Sequence, residues 1–190
     1  MISGLVVVSL LAFAIFLSSD KKFFSPETER GIVKDLGCVS STEERIVRGN
    51  SLTGLIESSE TVKIFFGYYD CNEIKKEDII VYFYAGNEEP LIKIVKGMPE
   101  DKFAFQKTEA GWRILINGEA VKNSKGESYS LSEKGSKMLS LYERDYKGII
   151  PANAYLILGN LASGSLDSTH FGLIGKQDIL GKAELIKNGG

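Results

Sequence analysis

One histidine, His170, is present in the 190-residue chain, and only two cysteines, Cys38 and Cys71. The single histidine excludes a His-rich metal site and leaves a His-based catalytic triad dependent on one residue, which in most proteins is a surface or packing side chain. Two distant cysteines do not make a disulfide scaffold. A Cys38–Cys71 bridge in an oxidising compartment and two solitary thiols fit the sequence equally well. The chain also lacks CxxC pairs, a phosphate-binding glycine loop and internal repeats. Its 23 basic and 25 acidic side chains leave a net charge of -2, which creates no field to attract a polyanion, so nucleic acid is not an expected partner.

One long apolar run is present. Gly4 to Leu17 reads GLVVVSLLAFAIFL without a charge and ends at Asp20, Lys21 and Lys22. A spanning helix needs about 17–25 apolar residues, so the run with Met1 and Ile2 is just long enough. It is apolar on all sides, unlike a helix packed on a small domain, and no small-x-small cleavage site follows it. Residues 1–19 are therefore read as an uncleaved transmembrane anchor. Lys21 and Lys22 oppose an outward-facing C-terminal domain under the positive-inside rule. Residues 20–42 are polar and read as a tether, leaving 43–190 as one folded domain.

That domain is expected to be mainly β. Val62–Phe66, Ile79–Tyr84, Leu91–Val95, Trp112–Ile116 and Tyr155–Gly159 are short runs of β-branched and aromatic residues. Gly86-Asn87, Asn117-Gly118 and Gly159-Asn160 punctuate them as turns. Ser130–Tyr142 carries a weak helical period, interrupted by Gly135, and reads as a short inserted helix.

With histidine chemistry disfavoured, a serine nucleophile requires another base. Lysine serves when burial leaves its amine neutral near working pH. Ser51 follows Gly-Asn in IVRGNSLTGLI, where a tight turn exposes a hydroxyl and leaves a backbone N–H for an oxyanion. Lys93 lies in the apolar run LIKIV. Taken alone, alternation turns it away from Ile92 and Ile94, as for a solvent-facing lysine on an edge strand.

Read together, these segments resemble the type I signal peptidase family, whose order is membrane anchor, serine box, strand box, lysine box and a final Ser-Asp box. GNSL at Gly49–Leu52 is similar to the serine box, EDIIVYF at Glu77–Phe83 to the strand box and LIKIVKGMPED at Leu91–Asp101 to the lysine box. LGNLASGSLDSTHFG at Leu158–Gly172 is similar to the final box. Leu52, Gly54, Leu55, Glu77, Ile94, Asn160 and Thr169 depart from the family pattern, and the missing arginine at Thr169 deprives Asp167 of a salt-bridge partner.

The resemblance implies a coiled β-sheet catalytic domain framing a groove that opens toward the membrane. It further implies Ser51 as nucleophile and Lys93 as general base, with Ser165 hydrogen-bonding the lysine amine and Asp167 as a supporting residue. Val47 and Ile92 would line small apolar pockets for an Ala-x-Ala-like substrate. No metal or organic cofactor is expected. The implied partners are pre-proteins with signal peptides and membrane lipid, for a monomeric single-pass enzyme with its catalytic domain on the extracytoplasmic side of the cell membrane. Two other readings stand beside it: a catalytically inactive membrane-tethered β-domain that binds pre-proteins, and a self-cleaving repressor-type protease with a Ser-Lys dyad.

Overall fold

A computed structural model describes residues 36–85 and 89–186. The expected anchor at 1–19, the tether up to residue 35 and the Gly86-Asn87 turn lie outside the described residues. Among the described residues no helix is long and apolar enough to cross a membrane.

The described strands form two antiparallel sheets. The larger contains β1 (Ser41–Ile46), β2 (Thr61–Phe66), β3 (Ile79–Tyr82) and β4 (Leu91–Gly97), together with β9 (Ala154–Leu158), β10 (Ile174–Gly175) and β11 (Ile179–Leu185). Its order is β1-β2-β11-β3-β4-β9-β10. The smaller sheet contains β5 (Phe103–Thr108), β6 (Gly111–Ile116), β7 (Glu119–Ala120) and β8 (Ser130–Leu131). Among the described residues there are two α-helices, α1 (Glu133–Asp145) and α2 (Ser168–Phe171).

The β-branched runs form strands because their alternate residues fill a face. In β2, Val62 and Ile64 are buried with Val47, Leu52, Ile56, Val81, Ile94 and Ala183. A second cluster includes Ile80, Tyr82, Val95 and Ile157. Leu156 and Leu158 of β9 carry apolar contact onward to Phe103, Ile114 and Leu139 of the small sheet and α1. The expected helix begins at Glu133, where Ser132 caps it by accepting from the Gly135 N–H at 3.2 Å. Gly135 thus falls in the first turn, where a weak helix former interrupts little.

The lysine-bearing strand is not at an edge. β4 pairs with β3 on one side and β9 on the other, with Lys93 opposite Ile80 and Ile94 opposite Leu158. Alternation separates Lys93 from Ile92 and Ile94 as expected, but both faces of this central strand are covered, and Lys93 is only 3% exposed. The solvent-facing alternative that alternation alone allowed for Lys93 does not hold, and the lysine is buried as its reading as a base requires.

Candidate active site

Two glycines shape the turn that carries Ser51. Gly49 and Gly54 have φ of +83° and +88°, a region that favours glycine over other L-residues. Between them the Thr53 N–H donates to the Asn50 carbonyl at 3.1 Å, and just beyond Gly54 the Leu55 and Ile56 N–H groups both donate to the Leu52 carbonyl at 2.9 Å. Leu52 and Ile56 are buried in the core, so the turn is pinned from below while Ser51 stays half-buried above it. Among the described residues no acceptor takes the Ser51 N–H.

Lys93 reaches this turn from β4. Its Nζ lies 3.0 Å from Ser51 Oγ and donates to the Ile92 carbonyl at 2.8 Å. Among the described residues it makes no ion pair. Burial pushes the Lys93 ammonium pKa down to about 8, against the opposing pull of the Asp167 charge.

The final box closes the site from β9. Asp167 is fully buried, and its carboxylate accepts from the Gly159 N–H at 3.0 Å and the Ser165 hydroxyl at 2.6 Å. It also accepts from the Thr169 N–H at 3.0 Å and the Thr169 hydroxyl at 2.8 Å. Four neutral donors thus stand where the family pattern supplies an arginine. The Ser165 hydroxyl differs from the expectation: its proton goes to Asp167, and no hydrogen bond joins it to the Lys93 amine, because the carboxylate two residues away is the stronger acceptor.

Val47 and Ile92 come together in the apolar cluster beneath the serine turn, Val47 buried and Ile92 packed against it beside Leu52. His170 is exposed and contacts Thr169 Oγ1 at 3.1 Å, away from the dyad. It borders a separate cavity of about 640 Å³ between α1 and residues 163–170, lined in part by Leu131, Met138 and Arg144. Neither Ser51 nor Lys93 lines that cavity.

Sequence reasoning missed three contributors. Gly159 and Asn160 read as a turn within the final box with no assigned role at the site, yet the Asn160 N–H donates to the Ser51 carbonyl at 2.6 Å. Tyr129, buried just before β8, donates its hydroxyl proton to the Gly159 carbonyl at 2.5 Å. The only signal in the sequence was the departure at Asn160 itself.

Cys38 and Cys71 form a disulfide with Cα atoms 5.8 Å apart. The open choice between bridge and thiols is resolved as a bridge, tying the approach to β1 to the end of the 3₁₀ turn Tyr68–Asp70.

The sequence profile of the family described as "Signal peptidase, peptidase S26" matches residues 37–187. The chain is similar to signal peptidase I of Bacillus caldolyticus, 28% identical over 142 residues, which is 73% of this chain and 75% of that protein. It is also similar to signal peptidase IB of Staphylococcus aureus (strain COL), 26% identical over 144 residues and 72% of each chain. Among solved structures, signal peptidase I from Enterococcus faecalis V583 aligns with a TM-score of 0.42 at 21% identity, over 58% of this chain and 97% of that one. With 37–187 matched out of 190 residues, this chain belongs to the signal peptidase family, peptidase S26.

Proposed function

We propose that this chain is a membrane-tethered serine endopeptidase that removes signal peptides from pre-proteins, with Ser51 as nucleophile and Lys93 as general base. The observation that carries the reading is the 3.0 Å approach of Lys93 Nζ to Ser51 Oγ inside an environment that lowers the amine pKa to about 8. An amine with that pKa is neutral in about one molecule in ten at pH 7, against fewer than one in a thousand for free lysine.

In the neutral amine the Ser51 O–H donates to the Nζ lone pair. Ser51 Oγ attacks the scissile carbonyl as Lys93 takes the proton, and the oxyanion is met by the Ser51 N–H. Collapse of the tetrahedral intermediate breaks the C–N bond, and the Lys93 ammonium returns its proton to the leaving amine. Water then attacks the Ser51 ester, again losing a proton to Lys93, and the carboxylic acid departs as Ser51 is reprotonated. Val47 and Ile92 form apolar pockets for small side chains before the cleaved bond. Ser165 and Asp167 act as one unit that holds Gly159 rather than by touching the amine. No resident cofactor enters the scheme.

Residues 1–19 tether the enzyme by a single span, and the folded domain, which includes Cys38 and β1, works on the extracytoplasmic side. The Cys38–Cys71 disulfide supports that side, since such bonds persist in oxidising compartments. Full-length protein is expected to stay in the membrane fraction after alkaline carbonate washing; release, or a mature N-terminus near Ser19, would refute the tether.

The enzymatic test uses mass spectrometry of a signal-peptide-bearing pre-protein incubated with the full chain. Wild type is expected to release the signal peptide at one bond, whereas Ser51→Ala, Lys93→Ala and Lys93→Arg should each release none while keeping the wild-type circular dichroism spectrum. A guanidinium stays protonated and cannot replace the amine as a base. Retained cleavage in Ser51→Ala or Lys93→Ala would refute the dyad.

A further inference from the structure

Asn160 stands directly after β9 and is 1% exposed, yet every one of its polar groups is engaged. Its backbone N–H donates to the Ser51 carbonyl at 2.6 Å, and its carbonyl accepts from Asn123 Nδ2 at 3.1 Å. Its side-chain Nδ2 donates to the Thr53 carbonyl at 2.9 Å and to Ser124 Oγ at 2.8 Å, while Oδ1 accepts from the Ser124 N–H at 2.9 Å. Ser124 completes the ring by donating its hydroxyl proton to the Gly54 carbonyl at 3.4 Å. Three segments that are distant in sequence thus meet at one amide: the end of β9, the serine turn and the 121–128 loop of the small sheet. The bonds to the Ser51 and Thr53 carbonyls hold the turn at the nucleophile and two residues beyond it.

We propose that Asn160 is a positioning residue for the nucleophile: clasped by Ser124, its uncharged amide fixes the turn bearing Ser51 within hydrogen-bonding reach of Lys93. The proposal rests on the reading of Ser51 and Lys93 as nucleophile and base. Only an amide fits the site, because Nδ2 must donate to a carbonyl while Oδ1 accepts from an N–H. An aspartate of the same shape keeps the bond from Ser124 N–H but turns an oxygen toward the Thr53 carbonyl, losing that bond and adding repulsion. Among the described residues the turn has no other side-chain hydrogen bond to the end of β9, so its position depends on this clasp and on the burial of Leu52 and Ile56. A shift of about 1 Å in a reacting group is worth about 100-fold in rate.

The test uses the full chain in detergent micelles, with an internally quenched peptide carrying alanine at the two pocket positions. A penem-type serine acylator counts competent sites, and peptide mapping locates the acyl group. Asn160→Ala and Asn160→Asp are expected to lower kcat by about 10- to 100-fold with KM within ~threefold, while acylation stoichiometry stays at the wild-type level and only its rate falls. Ser124→Ala, an exposed change that leaves the backbone bond, should lower kcat by about two- to fivefold. It should add nothing on the Asn160→Ala background, because the two act as one unit.

A kcat within ~threefold of wild type in the Asn160 variants overturns the proposal, as does a kcat loss matched by an equal loss of titratable sites, which marks a folding role alone. Should Asn160→Ala fail to fold, an unchanged kcat in Ser124→Ala overturns it as well. Acylation of wild type elsewhere than Ser51 would instead refute the dyad reading beneath it, so the two failures are distinguishable.

Discussion

Gly159 and Ser51 approach each other with no space for a side chain: a Cβ at 159 would lie 2.6 Å from the Ser51 carbonyl oxygen and would collide with the Ser165 hydroxyl. The glycine is needed there for close packing, which brings the end of β9 against the serine turn. Its N–H is held by Asp167 and its carbonyl by Tyr129, so it cannot retreat without breaking buried hydrogen bonds.

Gly159→Ala should therefore push the serine turn away from Lys93. Overpacking a tight site costs about 1–3 kcal/mol, which for a domain of this size lowers Tm by roughly 2–12 °C. Residual kcat in the folded fraction should fall by about 100-fold, the scale of a misplacement near 1 Å. A variant with wild-type kcat and Tm would show that the contact relaxes harmlessly.

The disulfide offers a prediction about stability without chemistry. Cys38 and Cys71 are 33 residues apart, and in the chain-entropy treatment a loop of that length stabilises by about 3–4 kcal/mol. Cys38→Ser/Cys71→Ser, or reduction by dithiothreitol, should lower Tm by roughly 10 °C, read by calorimetry. Peptide cleavage at 20 °C should be retained, because the bridge fastens β1 and lies on no path between Ser51 and Lys93. Loss of cleavage with the domain still folded would contradict that separation.

How much was legible depended on whether each feature was local. The apolar runs in β2, β3, β4, β6 and β9 announce themselves by their β-branched and aromatic residues, with alternate residues buried in β6 and consecutive ones buried on both faces of β3, β4 and β9. β1 reads STEERI and gave no such signal; its charges suit an exposed edge and its pairing to β2 is supplied by register. β11 inserts between β2 and β3 from the far end of the sequence, a placement no local pattern encodes. The same limit applies at the site. Ser51 and Lys93 were visible as residues in boxes, but the burial of Lys93 depends on β9 lying beside β4. The arginine missing at Thr169 suggested an unsupported Asp167, whereas the Thr169 side chain and backbone together supply two of the four donors to that carboxylate. Such substitution of one strong partner by several weak ones is set by the turn into α2, where Asp167 is the N-cap.

Asp167→Asn separates the two effects of that carboxylate. The amide would turn its NH₂ toward groups that are themselves donors, and each buried donor left unsatisfied costs about 1–3 kcal/mol. A lower Tm follows. The charge that pulls the Lys93 pKa upward is also removed, so the amine should deprotonate at lower pH. In the folded fraction the apparent pKa of kcat/KM is expected to move down relative to wild type. An unmoved or raised pKa would show that Asp167 does not act electrostatically on the base.

The buried lysine sets opposing demands on activity and stability, and both are measurable against pH. Catalysis needs the neutral amine, so kcat/KM should rise through a single apparent pKa of about 8 and level off by pH 9–10. A profile still climbing steeply at pH 10 would contradict a Lys93 amine whose pKa is lowered by burial. For stability the sign follows from proton counts. Between about pH 8 and the ordinary lysine value of 10.5, the unfolded chain holds a proton on Lys93 that the folded chain has lost. The unfolded state therefore binds more protons, and stability rises with pH across that window, by roughly 3 kcal/mol in total for this group. Below pH 8 both states are protonated and the folded protein carries the full cost of a buried ammonium. Lys93→Met removes the group, so it should raise Tm relative to wild type at pH 6–7, and the difference between the two proteins should shrink as pH approaches 10.5. Comparing the pair cancels the titration of the other lysines and tyrosines. A Tm difference that stays constant from pH 6 to 10 would show that Lys93 titrates in the folded protein as it does in the unfolded chain.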